Sequence, residues 1–288
     1  MGCGSYTAHD WDRLKTAKAI TTESRENDLF KTRRLLDKFN PKYIDMRESR
    51  DNDEHPNSTP IAIGLDVTGS MGYLPEEIIK NGLNELMKKL YASSVIPDPQ
   101  LMFAAVGDVT DDAPLQVTQF ESDIRIAEQL LELWIEKAGG DVPEDYALLW
   151  YFLAKHTDTD SMKKRNKKGY AFTIGDAPNH PYLYGSDIKE IFGDDTNCLN
   201  LSEIVDMCEQ KYHLFHIMID GGTVIPGRTI HIDRSEVSYL PEIIITAICK
   251  INQYNPTDIF GDIDSTTQNI IDRALSDVSF NTNGIIEI

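Results

Sequence analysis

Three uninterrupted apolar runs, each closing on an aspartate, restrict this 288-residue chain to a few architectures. Residues 61–65 (IAIGL) lead into Asp66, residues 170–175 (YAFTIG) into Asp176, and residues 213–219 (HLFHIMI) into Asp220. A short apolar run without alternation is what a strand buried on both faces requires, and such strands belong to parallel sheets covered by helices. Residues 101–106 (LMFAAV) form another such strand. Residues 115–120 (LQVTQF) alternate like an edge strand reached by a hairpin, and residues 228–232 (RTIHI) read as the last strand. Between and after them lie helical patterns at 75–90, 122–137, 143–156, 239–251 and 265–275; the first opens on Pro75 with Glu76 and Glu77 in its first turn. This alternation predicts an α/β fold: a doubly wound, mostly parallel, six-stranded Rossmann-like sheet with helices on both faces.

Charge divides the chain unevenly. Overall, 28 Lys and Arg face 47 Asp and Glu, a net charge of -19. Residues 1–50 carry 11 basic and 8 acidic side chains, net +3, which leaves 17 basic and 39 acidic, net -22, for the remainder. We read residues 1–58 as a helical N-terminal extension and linker, with an amphipathic helix over 23–39 stopped at Asn40-Pro41. Residues 59–255 form the main domain, and 256–288 a C-terminal helix and tail packing on it. A surface this acidic repels nucleic acid and anionic membrane. The one cationic block, MKKRNKKG, has five basic residues within 163–168 but no interleaved aromatics, and reads as a solvated loop. Cys3, Cys198, Cys208 and Cys249 lack metal-ligand spacing and indicate neither zinc module nor disulfide framework. With no apolar leader and no apolar run of about 18 residues, a cytoplasmic location without a membrane span is expected. Oligomeric state has no signature.

The chemistry concentrates where β-strands end. In open α/β sheets, ligands bind outside the carboxyl ends of the strands, beside the reversal of strand order. The loop DVTGSMG sets Asp66, Thr68 and Ser70 at alternate positions, and Gly69 and Gly72 relax the backbone so that three oxygen-bearing side chains can converge. One carboxylate with two hydroxyls is a hard-cation set that leaves coordination positions to water, which suits Mg²⁺ better than zinc. His213 and His216, three apart on a strand, point to opposite faces and make no joint site. Asp220 reads as a loop-stabilising cap.

DVTGSMG in its strand-loop-helix setting resembles the metal-ion-dependent adhesion site of von Willebrand factor A domains. The resemblance covers about residues 58–255 and implies strand order 3-2-1-4-5-6 with an antiparallel edge strand. It also implies a metal held by Asp66, Thr68, Ser70 and Asp176, the last from TIGDAPNH. The family's second loop supplies a threonine after a glycine pair. Here AGGDVPED puts Gly140 at that position and Asp141 beside it, where Asp141 serves directly or through water. Met71 and His180 are expected to line the crevice. The GGDxPED and GDAP strings resemble the alpha-kinase-associated and bacterial intracellular branch of the family.

That resemblance implies a non-enzymatic, Mg²⁺-dependent (or Mn²⁺- or Ca²⁺-dependent) protein-binding module, in which an Asp or Glu of the partner completes the metal shell. Intracellular members of this kind resemble adaptors for MoxR-type AAA+ ATPases or parts of multi-protein complexes. Two other readings stand beside it. One is a haloacid-dehalogenase-like, Mg²⁺-dependent phosphotransferase, suggested by an aspartate after the first strand and by GDVTDD at 107–112. That chemistry needs a proton-transferring acid two residues after Asp66, where Thr68 stands. The other is a structural assembly protein whose metal site is vestigial.

Overall fold

A computed structural model describes residues 4–92, 96–137, 143–261 and 263–280. Six strands form the central sheet: β1 (Thr59–Asp66), β2 (Pro99–Val106), β3 (Leu115–Val117), β4 (Gly169–Gly175), β5 (Tyr212–Ile219) and β6 (Thr229–Ile232). Their order is β6-β5-β4-β1-β2-β3, and every pairing is parallel except that of β3 with β2. This is the expected 3-2-1-4-5-6 order, with its reversal between β1 and β4. Every residue of β2 and β4 is buried, as apolar runs without alternation demand.

Among the described residues, seven helices have eight or more residues: α1 (Ala8–Lys18), α2 (Leu83–Ala92), α3 (Ala147–Lys155), α4 (Gly185–Phe192), α5 (Leu201–Glu209), α6 (Leu240–Asn252) and α7 (Ser265–Ala274). A short helix, Leu74–Glu77, and a π turn, Ile78–Gly82, lead into α2. One core joins Ile61, Ile63 and Leu65 of β1 to α2, α6, α7 and the extension. The other joins Ala62 of β1 and Met102, Ala104 and Val106 of β2 to α3, α4 and α5. Alternate β1 residues thus serve opposite faces, as strand geometry requires. Eight consecutive residues of α3, Ala147 to Ala154, are buried, so this helix is enclosed on all sides. None of the described helices is long and apolar enough to cross a membrane.

Two expected helices shrink, each for a tertiary reason. Over 122–137 only Arg125–Leu130 is helical. After it, Leu131, Leu133 and Ile135 are buried while Glu132 and Trp134 are less so, a period of two. The buried Gln116 of β3 both donates to the Trp134 carbonyl (2.7 Å) and accepts from its N–H (3.0 Å), standing in for a strand partner. Over 23–39 only Glu26–Leu29 is helical, and the helix of the extension is instead α1, capped by Thr7. Phe39 is drawn into the core, where its carbonyl accepts from Val117 N–H of the edge strand (2.9 Å). Trp11, Leu14, Ile20, Leu29 and Phe30 enter the same core, so residues 8–39 are anchored to it at several points.

The first three bases of the cationic block, Lys163, Lys164 and Arg165, lie on a short helix, Asp160–Arg165, fastened to the extension. Arg165 takes both oxygens of Asp51 (2.7 and 3.0 Å), Lys164 pairs with Asp51 and Asp160, and Lys163 with Asp158. Arg50 reaches across to Asp158 (2.5 Å) and Asp160 (3.2 Å). Beside this lattice, Arg47–Ser49 pairs in parallel with Thr157–Thr159. Three of the five bases are thus spent on neighbouring carboxylates.

Candidate metal centre

The parallel strands end in a row of acids. Asp66 is the last residue of β1, Asp176 follows β4, Asp220 follows β5, and Asp108 comes two residues after β2. In the strand order these stand as Asp220, Asp176, Asp66, Asp108, with neighbouring strands about 4.8 Å apart. The two flanks of the row are occupied. Arg234 pairs with Asp176 (3.3 Å) and Asp220 (3.7 Å), with its guanidinium over the Tyr73 ring, and His180 pairs with Asp108 (3.2 Å). Asp220 also accepts from the Arg234 backbone N–H (3.1 Å), the capping role expected of it.

Asp66 is wholly buried and fully bonded. One oxygen accepts from the Thr68 backbone (2.9 Å) and hydroxyl (2.6 Å), the other from the Tyr146 hydroxyl (2.8 Å). Burial nevertheless pushes its carboxyl up to about 6, against the lowering effect of those bonds, with Asp176 adding to the rise. Ser70 is exposed and donates to Asp176 (3.0 Å). The first loop and the β4 loop therefore meet across the reversal of strand order, as the topology predicts.

Residues 143–147 and 176–180 also meet. Glu144 N–H donates to the Pro178 carbonyl (2.9 Å), His180 N–H to the Glu144 carbonyl (3.0 Å), and Ala147 N–H to the Asn179 side chain (2.9 Å), which satisfies one orphan donor of the α3 N-terminus. Tyr146 is threaded between them. Its hydroxyl accepts from Ala177 N–H (3.3 Å) while donating to Asp66, and it lies where a side chain on Gly175 would be. Glycine is required there by close approach.

This docking carries Glu144 to the site. Its residue is 5% exposed, the Thr68 side chain stands within hydrogen-bonding reach, and its Oε2 is buried without a partner among the described residues. Burial, and then repulsion from Asp66, push its carboxyl up to about 8. An orphaned carboxylate oxygen costs several kcal/mol of desolvation, and a cation removes that cost. Oxygen atoms of Thr68, Ser70, Glu144 and Asp176, with Asp66 holding the Thr68 hydroxyl in place, fit a hard divalent cation such as Mg²⁺.

Of the residues expected at this site, Asp66, Thr68, Ser70 and Asp176 are brought together. Gly140 and Asp141 lie outside the described residues. Met71 does not line the crevice: it is wholly buried in the core under the first loop, its N–H bonded to the Thr68 carbonyl (3.0 Å). His180 is at the mouth but turned to Asp108. His213 stacks on Tyr170, and His216 is buried against Tyr146, on separate sides of β5. Sequence reasoning passed over Glu144, Tyr146 and Arg234. The signal for the first two was the all-apolar run after Asp145, because a helix enclosed on every side buries the acids at its start.

No family model matches the chain, and no curated protein matches it. Solved structures do match. Proximal thread matrix protein 1 from the mussel byssus is 10% identical over 70% of this chain and 48% of that one (TM-score 0.41). A structure of the same protein with a zinc-occupied MIDAS motif is 11% identical over 65% and 47% (TM-score 0.41). The pilus adhesin SpaC from Lactobacillus rhamnosus GG, in its open conformation, is 6% identical over 79% and 31% (TM-score 0.37). The chain spans less than half the length of each. The fold described above rests on its own strand order.

Proposed function

We propose that the protein is a divalent-cation-dependent protein-binding module. Thr68, Ser70, Glu144 and Asp176 hold the ion, Asp66 supplies charge and orients Thr68, and a carboxylate from a partner completes the shell. The observation that carries this reading is the orphaned Oε2 of Glu144, buried beside Asp66 where three loops converge. A bound ion would supply an electrophilic centre with open positions. This chain's own residues would orient it, and Arg234, half-exposed beside Asp176, would steer an incoming carboxylate against the acidity of the domain. Mg²⁺ is the expected ion, with Mn²⁺ or Ca²⁺ as alternatives, and an AAA+ ATPase of the MoxR type is the partner class to which the resemblance points.

The phosphotransferase alternative asks Asp66 to attack a phosphoryl group. A carboxylate with no exposed surface and three hydrogen bonds is poorly placed to do so. The test is calorimetric titration of Mg²⁺ and Mn²⁺ into the full chain and into Asp66→Ala and Glu144→Gln. Binding by the parent that weakens at least tenfold in both variants is expected; equal weak binding by all three would favour a vestigial site in an assembly protein. Pull-down with and without chelator then identifies the partner.

A further inference from the structure

A second group of ligand atoms lies at the β2 flank of the row. Asp108 follows β2, Asp145 precedes α3 and His180 ends the loop after β4, so three separate elements bring two carboxylates and an imidazole together. One ligand atom from each lies within 4.8 Å of the other two. Asp108 Oδ1 accepts from the Thr110 N–H (2.8 Å) and hydroxyl (2.6 Å), which fixes the carboxylate, and its Oδ2 faces His180 Nε2. Asp145 is 1% exposed. Its Oδ2 accepts from Val109 N–H (3.1 Å), while Oδ1 is buried beside Asp108 with no hydrogen-bond donor among the described residues.

An unpartnered oxygen on a buried carboxylate is expensive, and a second carboxylate beside it raises the cost. His180 already serves Asp108. We propose that Asp108, Asp145 and His180 form a second cation site, distinct from the one at Ser70 and Asp176, that takes a borderline divalent ion such as Zn²⁺, Co²⁺ or Mn²⁺. Two carboxylates neutralise such an ion, and an imidazole ligand selects it over Mg²⁺, which prefers oxygen. The His180 side chain is 36% exposed, so the outer coordination positions open to solvent. The His180 backbone is anchored by its N–H to the Glu144 carbonyl. Glu144 and Asp145 are consecutive, one facing each site, so an ion on Asp145 would also fix the segment that presents Glu144.

The test uses the full chain, stripped with chelator and titrated with Co²⁺ by calorimetry and visible absorption, because Co²⁺ d–d bands report nitrogen ligation. We expect a Co²⁺ site that resists millimolar Mg²⁺, yields to Zn²⁺, and weakens by about a hundredfold or more in His180→Ala and Asp108→Asn. His180 is a surface residue, and circular dichroism of His180→Ala checks that its fold is retained. The proposal is overturned if wild type shows no such site, or if His180→Ala keeps the same stoichiometry and spectrum. Failure of the first site would appear differently, as absent Mg²⁺ binding with the His180-dependent Co²⁺ signal intact.

Discussion

The ion-pair lattice between the extension and the Asp160–Arg165 helix and the crevice at the sheet edge are both crowded with carboxylates, yet they respond in opposite directions. In the lattice every acid meets a base. Arg50 holds Asp158 down to about 2, and although burial would raise Asp51, bonds from Arg165, Ser58 and Lys164 pull it well below the usual carboxylate range. In the crevice, burial and mutual repulsion push Asp66 up to about 6 and Glu144 up to about 8, and Asp145 also upward. Arg234 pairs with Asp176 and Asp220, and His180 with Asp108, which leaves Asp66 and Glu144 without a salt bridge among the described residues. The lattice is therefore complete as structure, whereas the crevice has the electrostatics of a site that gains from an ion supplied from outside.

The largest effect should come from the contact that assembles the crevice. Gly175→Ala would force a methyl group into the Tyr146 hydroxyl and ring, costing about 3 kcal/mol by urea denaturation and displacing the donor to Asp66. A loss below about 1 kcal/mol would mean that Tyr146 moves freely, and the contrast in rigidity would fail.

Next is the lattice. Arg165→Ala removes a two-pronged bond to Asp51 and should cost about 2 kcal/mol, while Lys163→Ala, at a solvated pair, should change stability by less than about 0.5 kcal/mol. Asp158 and Asp51 have folded values below their unfolded ones. The stability they give is thus complete above about pH 4 and is lost as pH falls through their folded values, toward about pH 2 for Asp158. Urea midpoints between pH 5 and pH 2 measure this.

The crevice should show a smaller effect of opposite sign. Glu144→Gln removes a buried charge with little change of shape, and should raise cation-free stability at pH 8 by about 1 kcal/mol while weakening Mg²⁺ binding. In the cation-free parent the raised carboxyls of Asp66 and Glu144 keep protons that the unfolded chain releases. Stability should therefore decline as pH rises from about 4 to about 8, and saturating Mg²⁺ should flatten that slope. A slope unchanged by Mg²⁺ would remove the distinction between the two regions.

Much of the fold was legible because β1, β2, β4 and β5 are local patterns: an apolar run bounded by turn residues reads as a buried strand whatever surrounds it. The first loop was legible for the same reason, since Asp66, Thr68 and Ser70 lie within five residues, and strand order then set Asp176 opposite Ser70. Residues 131–135 and 30–39 were not, because Gln116 and Val117 of the edge strand recruit them and override their helical spacing.

Glu144 marks the boundary most sharply. GGDVPED offers three acids, and nothing in that string distinguishes them. Only the docking of residues 143–147 onto 176–180 turns Glu144 toward Asp66 and Asp145 toward Asp108. The strands, the loop at Asp66 and the excess of acid are all properties of neighbours in the chain. Which carboxylates find a base and which are buried without one depends on packing across the fold, because charge balance in the interior is set by groups that segments far apart in sequence bring within a few ångströms.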